Sequence, residues 1–474
     1  MTSINRRDFI KTAAAGAAAL AMPKWLTRGA SAPRAEGRRP NVVIFLTDDQ
    51  GFGDLGRHGN PKAATPHMDA FAQQAVELAQ FYSMPVCSPT RASLMTGRYH
   101  LRTGIVDVFG AASNMKAEEV TVAEALRPAG YTTGIFGKWH LGASPLTQGF
   151  DEALTFEGHG LRKYFDPTLI HNGRAREFKG YCTDIFVDHA LDFVRRNKDK
   201  PFFLYLPTNL IHTPLQVSNA YVEPFAQAGL DTPTSKVYGM LKNVDDNFGR
   251  VLGALRELGL EDNTFLLFAS DNGPCTGSTT PQRFMASLRG LKGTVYENGI
   301  RVPCFVRWPQ RLQPAKVDRL AAVIDVMPTV LEVCGVEKPA TVKWDGTSLL
   351  PLLLSPDAPW PDRTLFFQWE GTPEPHRGMA FAVRNPRYKL VQAVGIARSQ
   401  AHIAAKYTVL CKDQGRGELD LAGKTPKYEL FDIEKDPGET VDLASQHPEI
   451  VAQMKKQYEA WFDDVWTSWH KSGS

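Results

Sequence analysis

Four apolar runs, Val42–Leu46, Thr132–Phe136, Phe202–Leu206 and Phe265–Ala269, are each followed within a few residues by charged, amide or imidazole side chains. Nothing else in the sequence limits the fold as strongly. The runs are too short for helices, are rich in β-branched and aromatic residues, and are bounded by turn residues, which is the pattern of parallel strands buried on both faces. Val302–Val306 is a fifth run of the same kind. Helical spacing lies between them. Met68, Phe71, Ala72, Ala75, Val76 and Ala79 recur at helical intervals after a Thr65-Pro66 start. Val237, Met240, Leu241, Val244, Phe248, Val251, Leu252 and Leu255 do so over a longer stretch, and Thr121 with Glu124 forms a capping pair for a third helix. Such alternation predicts an α/β fold, a large and mostly parallel sheet sandwiched by helices. With 474 residues, 43% of them hydrophobic, the chain can build one such domain and a smaller companion.

The texture changes near residue 355. Strand-like runs at 365–369, 379–383, 388–391 and 428–431 precede a helix from about Glu449 to Trp469, which predicts a smaller C-terminal antiparallel sheet plus helix. The expected division is a large domain over 40–355 and an α+β subdomain over 356–474. At the other end, Asn5-Arg6-Arg7-Asp8-Phe9-Ile10-Lys11 and the alanine-rich stretch to Met22 read as a twin-arginine export signal, lying within residues 1–32 with its cleavage position open. It is too short and too weakly apolar to be a stable membrane anchor. The expected location is therefore periplasmic or secreted, with the twin-arginine translocase as a partner. A net charge of +3 with scattered basic residues excludes nucleic acid as an expected partner and places any anion recognition at a local site. Six cysteines, at 87, 182, 275, 304, 334 and 411, show neither the close pairing of a disulfide framework nor metal-type spacing.

Ligands of open α/β sheets bind beyond the carboxyl ends of the strands. There stand Asp48 and Asp49 after the first run, Lys138 and His140 after the second, Asn209 and His212 after the third, and Asp271 and Asn272 after the fourth. Singly, each is an ordinary turn or capping residue. Together they sort into two chemical sets. Asp48, Asp49, Asp271 and Asn272 offer only oxygen donors, which suit Ca2+ or Mg2+ rather than zinc, and adjacent carboxylates repel one another unless a cation or protons offset them. Lys138, His140 and His212, with Arg91 and Lys292, supply the positive charge and titratable donors that a sulfate or phosphate group needs. An anionic ester held between a metal ion and a cationic cluster is the natural inference. His159, Tyr164 and His376 are further candidates for the mouth of this site.

The segment Cys87-Ser88-Pro89-Thr90-Arg91 sets a thiol just ahead of a helix start. Ser88 can cap, Pro89 suits a first helical position and Gly97 can stop the helix. Cys87 would then sit in the positive field of a helix N-terminus. This pentapeptide resembles the signature of the type I, formylglycine-dependent sulfatases of the alkaline phosphatase superfamily. The resemblance extends, in order, through Asp48-Asp49-Gln50-Gly51, Gly137-Lys138-Trp139-His140-Leu141-Gly142, His212-Thr213-Pro214, Asp271-Asn272-Gly273 and Arg289-Gly290-Leu291-Lys292-Gly293, and it reaches the segment from Tyr428 to Glu439. One departure is Tyr296-Glu297-Asn298-Gly299, where many members have Glu-Gly-Gly; it bears on local loop shape.

The resemblance implies an alkaline phosphatase-like fold and hydrolysis of a sulfate ester to an alcohol and inorganic sulfate. Cys87 would be oxidised to formylglycine by a formylglycine-generating or anaerobic sulfatase-maturing enzyme before the folded protein is exported, and the hydrated aldehyde would supply the attacking hydroxyl. One Ca2+ per chain, with Mg2+ as the alternative, would be held by Asp48, Asp49, Asp271 and Asn272 with residue 87 beside it. Arg91 and Lys138 would orient the hydrate, and Lys138, His212 and Lys292 would bind the sulfate group. His212 with Lys292 would assist the departing alcohol, and His140 would take the proton that releases sulfate. The expected substrate is a sulfated small molecule or oligosaccharide, with a sulfated carbohydrate favoured. Aryl sulfate hydrolysis, phosphoric or phosphonic ester hydrolysis, and anion binding without turnover are the alternatives.

Overall fold

The computed structural model describes residues 38–394 and 427–470, so the export signal and Cys411 lie outside the described residues. Ten strands build the main sheet: β1 (Asn41–Thr47), β2 (Val76–Tyr82), β3 (Thr132–Phe136), β4 (Glu152–Thr155), β5 (Thr168–His171), β6 (Arg174–Glu177), β7 (Phe202–Pro207), β8 (Thr264–Ser270), β9 (Cys304–Arg307) and β10 (Ala315–Ala322). Their order is β10-β2-β9-β8-β1-β7-β3-β4-β5-β6. The four strands with polar residues beyond their ends, β8, β1, β7 and β3, are consecutive in that order and pair in parallel. Their carboxyl ends therefore open side by side on one edge of the sheet.

Both faces of the sheet are covered because each central strand is apolar on both sides. Along β1, Val42, Ile44 and Leu46 enter one core and Val43 and Phe45 enter the other, following the two-residue period of a strand. The first core takes in the helices Cys87–Thr96, Val122–Leu126 and Val326–Val333; the second takes in Pro66–Gln73, Cys182–Asn197 and Thr232–Glu257. The long helix Thr232–Glu257 buries the apolar stripe visible in the sequence, and its Phe248 stands edge-on to Phe45 and Phe71 with ring centroids 5.0 Å away in each case. Burying a side chain of this size contributes about 1.5–3 kcal/mol.

Two local expectations are corrected. The helix that begins at Pro66 ends at Gln73, and Val76–Tyr82, expected to begin as the continuation of that helix, is strand β2 between β9 and β10. Its apolar residues fit either period, and the β-prone Val76, Phe81 and Tyr82 find strand partners that only the assembled sheet supplies. The run Val302–Val306 contributes β9, which lies antiparallel to both neighbours rather than parallel. Because β9 runs back from the carboxyl edge, the connection from β8 over residues 271–303 begins and ends on that same edge.

The smaller sheet contains β11 (Leu365–Gln368), β12 (Phe381–Arg384), β13 (Tyr388–Gln392) and β14 (Glu429–Asp432), antiparallel in that order. The helix Pro448–His470 covers it, with Tyr458 stacked on Phe381 at 3.6 Å and Trp461 on Phe366 at 5.1 Å between ring centroids. This sheet shares the first core, Phe367 meeting Tyr82 at 5.6 Å. Lys389 of β13 is wholly buried between Glu297 at 3.0 Å and Glu439 at 2.9 Å. Among the described residues no helix is long and apolar enough to cross a membrane.

Candidate active site

Main-chain bonds gather the strand ends. Asp48 N–H donates to Leu210 O at 2.8 Å and Ile211 N–H donates to Asp48 O, which ties the turn beyond β7, and with it His212, to the turn beyond β1. Asp49 adopts a left-handed backbone with φ 64° and donates its N–H to Asp271 Oδ1 at 3.2 Å. Aspartate tolerates that conformation better than most residues.

Cys87 is the first residue of the helix Cys87–Thr96, all of it buried. The sequence assigned the cap to Ser88, but Val86 occupies the cap position, and Ser88 Oγ donates to the main-chain carbonyl of His140 at 2.6 Å. Pro89 accordingly stands third in the helix, still within the turn whose N–H groups need no partner from the helix itself. Gly97 closes the helix with φ 67°, its N–H bonded to Ser93 O. His140 Nε2–H donates to Val108 O at 2.9 Å, which leaves Nδ1 with its lone pair 3.3 Å from Cys87 Sγ.

The cations interleave with the carboxylates. Arg91, one turn along from Cys87, donates through Nε and Nη2 to Asp271 Oδ2 at 3.1 and 2.7 Å and through Nη1 to Lys138 O at 2.6 Å. Lys138 Nζ reaches Asp48 Oδ2 at 2.6 Å, and Lys292 Nζ pairs with Asp49 Oδ1. His212 donates from Nδ1 to Thr213 O at 2.6 Å and turns Nε2 toward Asp49 Oδ2 at 3.9 Å. The structure thus brings all ten sequence-selected residues into one cluster. Most are wholly buried, whereas the side chains of His212 and Lys292 keep 18% and 13% exposure and mark the open side.

Charge balance points to the kind of group these residues would hold. Burial works against ionisation of Asp48, yet Lys138, His212 and Arg91 hold its carboxyl well below the usual range. Burial and the neighbouring Asp48 push Asp271 the other way, to about 8. Burial and Lys138 drive His140 well below its ordinary value, and burial and Lys292 take His212 down to about 4. The Asp49 and Asp48 carboxylates outweigh burial at Lys292 and keep its ammonium charged. Asp48 Oδ1, Asp49 Oδ2 and Asn272 Oδ1 are buried without a hydrogen-bond partner. Orphaned oxygens of this kind, beside carboxylates that hinder one another's ionisation, fit a hard divalent cation. Asp48, Asp49 and His212 offer donor atoms within 4.8 Å of one another, whereas both Asp271 oxygens are engaged by Arg91 and the Asp49 amide.

Several contributors escaped the sequence reading. Arg283 is buried and bridges Asp54 to the carbonyl of Asp49. Trp369 of the C-terminal part donates its indole N–H to Asp107 at 3.0 Å, next to the Val108 carbonyl that holds His140. Arg283 lies in no periodic segment, and Trp369, at the end of the strand-like run 365–369, carries no sign in the sequence of its partner Asp107. Of the three rim candidates, His159 lies 6.3 Å from the His140 ring. Tyr164 is buried instead, its hydroxyl donating to His212 O at 2.7 Å, so it supports His212 from behind. The His376 ring lies 3.2 Å from Glu370 and contacts none of the ten residues. In the divergent segment, Asn298 is buried and donates to Gly290 O at 2.9 Å, fixing the loop that carries Lys292. Cys182, Cys275, Cys304 and Cys334, like Cys87, are free thiols.

The sulfatase family model matches residues 40–336, and a model for the C-terminal region of N-sulphoglucosamine sulphohydrolase matches residues 291–401. A twin-arginine translocation signal model matches residues 3–23, addressing the chain to the periplasm or to secretion. Human arylsulfatase A is 30% identical, covering 92% of this chain and 90% of its own length. Pig N-acetylgalactosamine-6-sulfatase is 34% identical over 66% of each chain. The crystal structure of Ps i-CgsB in complex with k-i-k-neocarrahexaose superposes with a TM-score of 0.76 at 26% identity, covering 90% of this chain and 93% of that one. The motif order, the shared strand edge and these likenesses have one common explanation: the chain belongs to the sulfatase family and is a sulfuric ester hydrolase.

Proposed function

We propose that this sulfatase removes sulfate from a sulfated carbohydrate, using a formylglycine formed from Cys87 by a maturing enzyme. A Ca2+ ion, with Mg2+ as the alternative, would be held by Asp48, Asp49, Asp271 and Asn272 with residue 87 alongside. The observation that carries this reading is the position of Cys87: a buried thiol at a helix N-terminus, 3.3 Å from the free ring nitrogen of His140. Formylglycine would supply an electrophilic carbon whose hydrate attacks sulfur, and the cation would draw charge from the sulfate oxygens.

The chain's own residues do the rest. Three carboxylates, Asp48, Asp49 and Asp271, face three fixed cations, Arg91, Lys138 and Lys292, so a bound dication leaves two positive charges to meet an anionic ester and the charge developing on it. Arg91 and Lys138 orient residue 87, Lys138 and Lys292 bind sulfate oxygens, and His212 with Lys292 faces the departing alcohol. His140, its tautomer fixed by Val108, accepts a proton at Nδ1 from residue 87. The likeness to a protein solved with k-i-k-neocarrahexaose and to an N-acetylgalactosamine-6-sulfatase supports a sugar substrate; the likeness to arylsulfatase A supports an aryl sulfate as the second reading.

A screen of purified, matured enzyme against sulfated mono- and oligosaccharides, an aryl sulfate and the matched aryl phosphate tests this. Turnover of a sulfated sugar above that of the aryl sulfate is expected, and faster turnover of the phosphate would overturn the reading. Mass spectrometry of the peptide containing residue 87 should find an aldehyde; an intact thiol in active enzyme would remove Cys87 from the chemistry.

A further inference from the structure

Phe109 is one of four large hydrophobic residues left exposed among the described residues, with 58% of its surface accessible. It directly follows Val108, whose carbonyl holds His140. Its ring meets the ring of His159 edge-on, with centroids 4.8 Å apart and planes at 77°, and His159 is in turn 6.3 Å from the His140 ring. The next residue, Gly160, comes so near the other histidine that a Cβ added there would lie 3.6 Å from His212 Cε1. The segment Gly158–Gly160 with Phe109 therefore borders the site from His140 to His212, on the side where exposure begins.

We propose that Phe109 and His159 form the specificity wall of the site, a platform on which the C–H face of the sulfated sugar ring packs. This rests on the assignment of residue 87 and its surrounding cations as the centre that holds sulfate. An aromatic face set edge-on to a second ring is a rigid apolar surface with little entropy to lose, and sugar rings present such C–H faces. Desolvation and the nearby charges of Lys138, Arg162 and Lys292 lower the His159 pKa, so its imidazole stays neutral and offers one donor and one acceptor to sugar hydroxyls. Among the described residues neither side chain hydrogen-bonds to Lys138, His212 or Lys292. Removal of the two rings should weaken the hold on the sugar and leave the sulfate-binding centre intact.

Steady-state kinetics of Phe109→Ala and His159→Ala on the best sulfated monosaccharide, with inorganic sulfate as a competitive inhibitor, separates these effects. Phe109→Ala is expected to raise KM about tenfold, the equivalent of an aromatic contact worth about 1.4 kcal/mol, with kcat changed less than about twofold. His159→Ala should act in the same direction, Phe109→Trp should restore KM, and inhibition by sulfate should be unchanged in all three. The wall is refuted if both alanine variants keep KM within about twofold of the parent, if sulfate inhibition moves together with KM, or if only aryl sulfates are turned over. Parent enzyme that inorganic sulfate does not inhibit would instead refute the assignment of the sulfate centre, whatever the variants do.

Discussion

Arg283 Nη2 donates to the main-chain carbonyl of Asp49 at 3.0 Å while the same guanidinium grips both oxygens of Asp54, at 3.1 and 2.6 Å. Its remaining N–H groups go to Ser278 O and Oγ at 3.2 and 2.9 Å, so every donor of a wholly buried arginine is satisfied. Asp54 is itself tied to the first turn through Gly51 N–H at 2.7 Å. The loop beyond β8 thereby fixes the left-handed turn that carries Asp49, one of the proposed cation ligands.

Arg283→Lys keeps the charge but loses the fork. Calcium affinity, measured by isothermal titration calorimetry on the full chain, is expected to fall about 10–100-fold, with circular dichroism confirming a folded protein. A folded variant that binds calcium as tightly as the parent would show that the brace does not position Asp49.

His140 stands between Val108 O and Cys87 Sγ with its acceptor nitrogen toward residue 87. His140→Ala should lower kcat by about 10²–10⁴ while KM for the sulfate ester changes only a few-fold, because the proposed proton acceptor is lost while the cations proposed to bind sulfate remain. Unchanged kcat in matured enzyme would assign the proton to another group.

Gly273 has no room for a side chain: a Cβ built there would stand 1.7 Å from Asn298 O, a main-chain atom that cannot swing aside. Gly273→Ala must therefore displace either the Asp271-Asn272 turn or the loop carrying Lys292. Urea unfolding should show a loss of about 1–3 kcal/mol, and calcium binding should weaken with it. Stability and calcium affinity equal to the parent would mean that the turn is not tightly packed in solution.

Asp245 accepts Met68 N–H at 2.8 Å and His67 N–H at 3.3 Å at the start of the helix Pro66–Gln73, with Lys242 at 3.9 Å. Burial outweighs these bonds and pushes its carboxyl up to about 6. The folded chain then keeps a proton that the unfolded chain releases above about pH 4, so this group's contribution is greatest in acid and declines as pH rises to about 6. Its slope reaches at most about 1.4 kcal/mol per pH unit. Asp245→Asn should remove that decline from urea-unfolding free energies measured between pH 4 and 7. Parallel parent and variant curves would contradict the shifted carboxyl.

The polar strand ends were legible because β1, β3, β7 and β8 are short apolar runs whose following residues are local neighbours in sequence, and parallel pairing sends all four ends to one edge. Asp48, Asp49, Lys138, His140, His212, Asp271 and Asn272 could be found that way, and the C-terminal sheet and helix by the same local periodicity. Other features depended on contacts distant in sequence. The residues from Val76 to Ala79 fit a helix or a strand until β9 and β10 supplied partners, and the apolar run at 302–306 carries no information about strand direction. Ser88 had the chemistry of a cap, yet the carbonyl of His140 took its hydroxyl. Likewise, Arg283, Trp369 and the tautomers of both histidines are set by partners such as Asp54, Asp107, Val108 and Thr213. The sequence by itself determined the strands and the chemical types gathered at their ends, since propensity and period are properties of adjacent residues. Tertiary structure alone decided which nitrogen faces Cys87, what holds Asp49 in place and which rings stand beside His140, because each depends on groups that meet only when the chain is folded.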